Sequence, residues 1–346
     1  MKMTDLAPVL SPFGLLDDGR GPQAAATLAV QRLSGGLIND TFALGGHFIL
    51  QRLHAIFKPT VNLDIAALTP VLRAAGVPVP EIVLAQTGEP FVEIDDAENP
   101  LAGAWRILTR LPGDTLHRLE NPRQAANAGA MVARFHTALR DLPHAFHFTR
   151  EGAHNTYAHF HTLADALAQH PQHRLHAQVK VLAGELEARW LAWGAIPRLP
   201  ERIIHGDLKV SNLLFSGDAV VGVLDLDTMA RSSLDVELGD ALRSWCNTAT
   251  EDDPAPHFDL ATYRAAREGY LAVAGAWLTA EEKAAIGPAI ERICLELAAR
   301  FAADALNERY FGWNPDKFPA RGEHNLVRAR NQLGLARDVA NMRADL

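Results

Sequence analysis

The sequence predicts an α+β fold in which a small antiparallel sheet comes first and a larger, mainly helical part follows. Three observations predict it. Short apolar runs separated by Gly and Pro crowd the first 110 residues, the signature of strands and turns. Beyond residue 111, apolar positions recur at helical spacing in segment after segment. The exception is residues 203–227, IIHGDLKVSNLLFSGDAVVGVLDLD, where two apolar runs flank the turn Ser216-Gly217-Asp218 and read as a hairpin. The boundary falls at Arg110-Leu111-Pro112-Gly113, giving domains 1–110 and 111–346.

In the first domain, Ala26–Leu33 is strand-like and Ser34-Gly35-Gly36 makes a turn. Thr41–Leu44 and Phe48–Leu53 continue as strands around Gly45-Gly46. Pro59–Gly76 has helical periodicity, with Pro70 marking a kink or a restart. Ile82–Ala85 and Pro90–Ile94 are expected to pair with each other around Gln86–Glu89, and Trp105–Thr109 is a further strand. In the second domain, helices are expected over Asn121–Leu142, Tyr157–Ala168, His176–Trp193, Val236–Thr248, Asp259–Ala274, Thr279–Asn307 and Val327–Met342. Thr279 and Glu282 have the spacing of a capping box.

Composition narrows the function. The 346 residues are 48% hydrophobic and 21% charged, ordinary for a globular protein with real cores. The formal charge of −8 and the lack of a basic run argue against a nucleic-acid partner. No apolar run is long enough for a membrane span, and Met1–Asp18 has no signal-peptide pattern, so a cytoplasmic protein is expected. Cys246 and Cys294 each stand alone in helical context with no C-x-x-C pair, which argues against a Cys-based zinc site. His144, His147, His154, His159 and His161 crowd one region without a metal-binding helix pattern and read as solvated surface histidines.

The chemistry concentrates in His205–Asn212, HGDLKVSN, which has the D-x-x-x-x-N spacing of a kinase catalytic loop. Phosphoryl transfer needs a carboxylate beside the attacking hydroxyl and oxygen ligands for Mg²⁺ on the nucleotide phosphates. Asp207 suits the base, Asn212 and Asp225 suit the metal, and Lys209 can reach the transferring phosphate. Asp227 shares a strand face with Asp225, so the two carboxylates are not ranked by spacing.

These residues resemble the aminoglycoside and choline phosphotransferase group, relatives of the protein kinases. The resemblance runs through SGGLINDT (34–41), FILQRLHAIFKPTVN (48–62), the loop 205–212, LDLDTM (224–229), Gly239-Asp240 and EHNLVRAR (323–330). The pieces LDLDT, IFKPTVN and EHNLVR are similar to the kinases of N-acetylated hexosamines. The resemblance implies a bilobal protein-kinase-like fold and the cofactors ATP and Mg²⁺. It implies a small-molecule acceptor, most closely the anomeric hydroxyl of an N-acetylhexosamine or related sugar. Kinases of aminoglycosides, choline, homoserine or fructosamine, and a catalytically silent nucleotide-binding module, are the competing readings.

Gly35 and Gly36 lie in a Gly-containing loop between two strands, as a loop over ATP phosphates should, and the same resemblance places Asn39 and Thr41 near the phosphates or the sugar. Trp105–Leu111, with Leu108 and Leu111, would be a hinge strand that holds adenine. Gly35-Gly36 also suits an ordinary hairpin turn. Gln51 stands where a kinase lysine would sit, and the following helix offers only Asp64 as an acid. Arg52 and Lys58 are the candidate substitutes, although Arg52 should face away from Gln51. Arg300, Tyr310 and His154 are implied acceptor contacts. A salt bridge from Arg300 to Asp240 or Glu296 is the structural alternative. Trp245, Trp313, Tyr310 and Phe311 could line an acceptor pocket, and Asp235 or Asp240 is expected to hold the catalytic loop.

Overall fold

The computed structural model describes residues 3–15, 29–33, 38–150 and 152–346. These divide into two compact units: 1–115 with 137–149 and 213–230, and 116–136 with 150–212 and 231–346.

The first unit is built on a six-stranded sheet of order β1-β2-β3-β6-β4, with β5 also paired to β6. The strands are β1 (Val30–Arg32), β2 (Asp40–Leu44), β3 (Phe48–Arg52), β4 (Ile82–Val83), β5 (Val92–Ile94) and β6 (Gly103–Thr109). All the pairings are antiparallel. The segments expected to pair with each other, 82–85 and 90–94, instead both pair with β6. The seven-residue β6 offers more ladder than either short strand could offer the other, and the turn between them is closed by the Ala85 N–H donating to the Glu89 carbonyl at 2.8 Å.

Alternation separates the two faces of the sheet. Phe42, Leu50 and Ile107 form one row, packed on Leu6, Val9 and Leu10 of the N-terminal helical segment that includes α1 (Ala7–Leu10). Thr41, Gln51 and Arg106 form the adjacent row, which by the same alternation lies on the opposite face. Helix α2 (Val61–Ala74) runs unbroken through Pro70, so that proline is not a restart. A smaller sheet joins β7 (Asp114–Thr115) to the hairpin of β9 (Leu213–Ser216) and β10 (Ala219–Val223). Gly113, at φ 123°, lets β7 approach: a Cβ there would lie 2.7 Å from Val221 Cγ2.

The second unit gathers around one long helix. Its helices are α3 (Pro122–Leu139, of which 122–136 belong here), α4 (Thr156–Gln169), α5 (His176–Trp193), α6 (Leu234–Trp245), α7 (Leu260–Ala274), α8 (Ala280–Asn307) and α9 (Arg321–Asn341). The 28-residue α8 is packed by α4, α5, α6 and α9, and from Ala285 onward it is almost wholly buried. The predicted capping box forms in full between Thr279 and Glu282. The unit also holds β8 (Glu201–Ile204), which leads into the loop 205–212.

Helices α3 and α7 cross at two glycines. A Cβ on Gly129 would lie 2.0 Å from the Ala266 carbonyl oxygen, and one on Gly269 would lie 2.0 Å from that of Ala126. Gly129→Ala is therefore expected to destabilise by about 3 kcal/mol or more, the upper end for overpacking. Gly184→Ala, on an exposed face of α5 with nothing within 4 Å, is expected to stabilise by about 0.5–1 kcal/mol. Urea unfolding of both variants checks the contrast, and equal effects would contradict the close crossing.

Candidate active site

The loop 205–212 follows directly from β8. Gly206 takes a left-handed conformation, φ 82°, which turns the chain between His205 and Asp207. A 3-10 turn, Val210–Asn212, then brings Asn212 back to Asp207. Asn212 Nδ2 donates to the Asp207 carbonyl at 2.7 Å and to its Oδ2 at 3.1 Å. Lys209 Nζ lies 2.6 Å from the same Oδ2. The structure thus brings together Asp207, Lys209 and Asn212 as the spacing predicted. With Nδ2 engaged, the Asn212 carbonyl oxygen is the atom suited to a hard cation.

The loop is held from below by Glu237 of α6. Its Oε1 accepts the His205 N–H at 2.7 Å and its Oε2 the Gly206 N–H at 2.8 Å. His136 Nε2 lies 3.2 Å from Oε1, and His136 Nδ1 lies 2.9 Å from the Tyr270 hydroxyl. Burial by itself would push the Glu237 carboxyl up, but the hydrogen bond and charge of His136, the charge of His205 and the Gly206 N–H together hold it below its ordinary value. Trp245 Nε1 donates to the Leu208 carbonyl at 2.7 Å. Two expectations change here. Glu237 rather than Asp235 or Asp240 anchors the loop, because Asp235 pairs with Arg292 and Asp240 with Arg243. Trp245 is buried, and its indole N–H is taken up by the loop backbone.

In the first unit, Gly35 and Gly36 lie outside the described residues. Asn39 is buried, donating from Nδ2 to Asp227 Oδ2 at 2.7 Å and accepting the His54 N–H at 2.9 Å. Thr41 Oγ1 donates to the Asn39 carbonyl and accepts from Gln51 Nε2, each at 3.2 Å. Gln51 Oε1 in turn accepts from Arg106 Nη2 at 2.7 Å and Nε at 3.0 Å. Arg106 and Asp227 form a buried, two-pronged ion pair. Arg52 belongs to the other face, as alternation required, and is bound to Asp40 at 2.7 Å. Leu108 sits between Ile49 and Ile82 in the sheet, and Leu111 lies close to Gly222. Asp225 is exposed and left-handed, φ 63° and ψ 60°, and starts the 3-10 turn Leu226–Thr228.

Of the crowded histidines, His144 is largely buried while His147 stays exposed, and both turn to one buried carboxylate. His144 Nε2 and His147 Nδ1 both lie 2.9 Å from Asp64 Oδ1. Their ligand atoms and that oxygen lie within 4.8 Å of one another, but Asp64 also accepts the N–H groups of His147 and Phe148 and so serves as a loop anchor. His154, largely buried in the second unit, holds Glu296 at 3.0 Å, and Thr156 Oγ1 donates to the same carboxylate at 2.6 Å.

The other implied acceptor residues also belong to the second unit. Arg300 lies over the Phe311 ring at 5.6 Å and makes no ion pair with Asp240 or Glu296 among the described residues. Tyr310 is exposed, and its hydroxyl accepts from Arg150 Nη2 at 2.9 Å. Its loop is nested on Asp304, which accepts the N–H groups of Arg309, Tyr310 and Phe311 at 2.9–3.0 Å. The segment EHNLVRAR supports that nest from α9: Asn325 Nδ2 donates to Asp304 at 2.9 Å and Arg328 Nη1 to the Gly312 carbonyl at 2.8 Å.

Burial would lower the His154 pKa, but the Glu296 hydrogen bond and charge, with the Asp240 charge, raise it above 6.5. A raised folded-state pKa adds stability that is fully present below the unfolded value and is lost as pH rises through the folded one. The stability advantage of the protein over its His154→Gln variant is thus expected to shrink above pH 6.5, read from paired denaturant titrations between pH 6 and 9. A constant difference would sink that charge assignment.

Comparison with known families decides the wider identity. The model of the phosphotransferase enzyme family, APH, matches residues 29–277. The chain belongs to that family. Among relatives, the homoserine kinase of Methylorubrum populi is 30% identical over 229 residues, covering 63% of this chain and 65% of that protein. The chain thus spans slightly less than two thirds of that relative's length. The homoserine kinase of Hyphomonas neptunium is 27% identical over 329 residues, 92% of this chain and 91% of the relative. Among solved structures, the amicoumacin kinase hAmiN in complex with AMP-PNP, Ca²⁺ and Ami has a TM-score of 0.61 at 18% identity, covering 93% of this chain and 94% of that one. The phosphotransferase family fold is therefore kinase-like here too, as the motifs implied. No helix among the described residues is long and apolar enough to cross a membrane.

Proposed function

We propose that this family member is an ATP- and Mg²⁺-dependent kinase of a small molecule, with the anomeric hydroxyl of an N-acetylhexosamine or related sugar as acceptor. The observation that carries the reading is the loop itself: a partly exposed Asp207 carboxylate flanked by Lys209 at 2.6 Å and Asn212 at 3.1 Å. The acceptor hydroxyl hydrogen-bonds to Asp207. Its proton passes to that carboxylate as the new O–P bond forms and the bond from the γ-phosphorus to ADP breaks. Lys209 meets charge gathering on the transferring oxygens.

The donor set suits a hard cation, with an amide carbonyl at Asn212 and a carboxylate at Asp225. Asn212 and Asp225 would hold Mg²⁺, which would supply neutralisation of the charge on the nucleotide phosphates. Residues 1–110 take the nucleotide, with adenine against Leu108 and Leu111. Residues 111–346 carry the catalytic loop and present Arg300, Tyr310 and His154 to the acceptor. The AMP-PNP and Ca²⁺ of the solved kinase support the cofactor assignment.

Homoserine is the second reading, favoured by the two homoserine kinase relatives. The sugar is favoured by the EHNLVRAR segment, which here supports the Tyr310 loop through Asn325 and Arg328. Coupled ADP detection on N-acetylglucosamine, N-acetylgalactosamine, homoserine, choline and kanamycin tests both. An N-acetylhexosamine is expected to turn over fastest and to give an acid-labile anomeric phosphate. Turnover of homoserine alone, with an acid-stable ester, would replace the sugar reading.

A further inference from the structure

Arg106 is an arginine in the middle of an apolar strand, AWRILT, and it is 2% exposed. Its strand neighbours Trp105 and Ile107 belong to the sheet's core cluster, so the guanidinium lies on the other face, beside Gln51. A buried guanidinium must place five N–H donors. Nε and Nη2 donate to Gln51, Nη2 and Nη1 to Asp227, and Nη1 also to Asn62 Oδ1 at 3.1 Å. Those five bonds match the five donors, leaving none for a phosphate. Arg106 is therefore not a phosphate clamp standing in for the lysine that Gln51 displaced.

We infer that Arg106 is a positioning residue for the metal carboxylate: by fixing Asp227 it holds the Asp225–Asp227 turn so that Asp225 presents its carboxylate to the divalent cation. The inference rests on the kinase reading above. The two carboxylates differ sharply although only Leu226 separates them. Asp227 is 1% exposed and takes Arg106 on both oxygens, with Asn39 added on Oδ2. Asp225 is exposed and left-handed, a conformation that non-glycine residues keep only where the surroundings over-determine it. Gln51 on β3, Asn62 on α2 and Asn39 ahead of β2 all bear on the Arg106–Asp227 pair, so three segments fix the turn that follows Asp225. This ranks the carboxylates. Asp225 is the ligand and Asp227 is the counter-ion. Gln51 serves the same end, since its carbonyl oxygen orients the guanidinium fork.

The test reads Mn²⁺ binding in the presence of AMP-PNP, by the EPR signal of free Mn²⁺, with a thermal melt on each protein. The chain is expected to bind Mn²⁺, and Asp225→Asn to abolish that binding. The double variant Arg106→Met/Asp227→Leu removes both charges and fills the space with apolar atoms, an exchange that often leaves stability intact. It is expected to stay folded and bind Mn²⁺ at least tenfold more weakly. Arg106→Lys, which keeps the charge but not the fork, is expected to fall between. A folded double variant with unchanged Mn²⁺ affinity overturns the inference and leaves the kinase reading standing. If the double variant does not fold, Arg106→Lys decides: an unchanged affinity overturns the inference, and a severalfold loss supports it. Failure of the unaltered chain to bind Mn²⁺ with AMP-PNP overturns both.

Discussion

Asp207→Asn is expected to lower kcat by about 10²–10⁴-fold, the range for loss of a general base. That corresponds to about 3–5 kcal/mol on the barrier. The substitution separates chemistry from structure. Lys209 Nζ and Asn212 Nδ2 both reach one oxygen of this side chain, Oδ2, and an amide oxygen can receive both donors. The backbone bond from Asn212 to the Asp207 carbonyl, 2.7 Å, does not involve the side chain at all. The loop should therefore keep its shape, and the melting temperature and the stabilisation by Mg²⁺ with AMP-PNP should change little. What the amide lacks is the capacity to take a proton. Steady-state kinetics on the acceptor identified by the panel, with a thermal shift on the same sample, checks both halves. A folded Asn variant with kcat within a fewfold of the starting protein would remove Asp207 from the base role.

Local patterns made the frame legible, and pairings between distant segments did not. The hairpin at 213–223, the loop at 205–212 and the capping box at Thr279 each depend on residues a few positions apart, and each forms as spacing predicts. Glu237 and Arg106 were missed because their partners lie 31 and 32 residues away in one case and 121 in the other. The lysine position on β3 is one strand away from the buried cation. The cation that matters here stands on β6, opposite Gln51 in the ladder. A signal existed: Arg106 is a charge inside an apolar strand, and such a residue must have an anion facing it. Glu237 gave a similar hint, lying in the first turn of α6 among Leu234, Val236 and Leu238. The histidines misled because clustering in sequence says nothing about burial, and the acids that bury His144 and His154 come from α2 and α8.

Glu237→Ala carries the largest expected loss of stability, about 3–5 kcal/mol, the range for removing one member of a buried charged network. Two backbone donors, the N–H groups of His205 and Gly206, lose their acceptors, and His136 loses its carboxylate partner. Both donors belong to the segment that aims Asp207, so the damage should reach kcat in the fraction that stays folded. Glu237→Gln distinguishes the contributions. Its one oxygen can serve one end of the network, but its amide nitrogen then meets an N–H, which is a donor against a donor. One unsatisfied buried group costs about 1–3 kcal/mol, so the Gln variant should fall between. Acid gives an independent handle. The Glu237 carboxyl is held below its ordinary 4.5 by His136 and the backbone donors acting against burial. A depressed folded-state pKa contributes stability that is present above the unfolded value and is lost as pH falls through the folded one. The gap between the unaltered protein and Glu237→Gln should therefore be constant near neutrality and close progressively below pH 4.5. Urea titrations at stepped pH measure that gap. A gap that persists unchanged into acid would show that shape at position 237, and not the carboxylate charge, holds the catalytic loop.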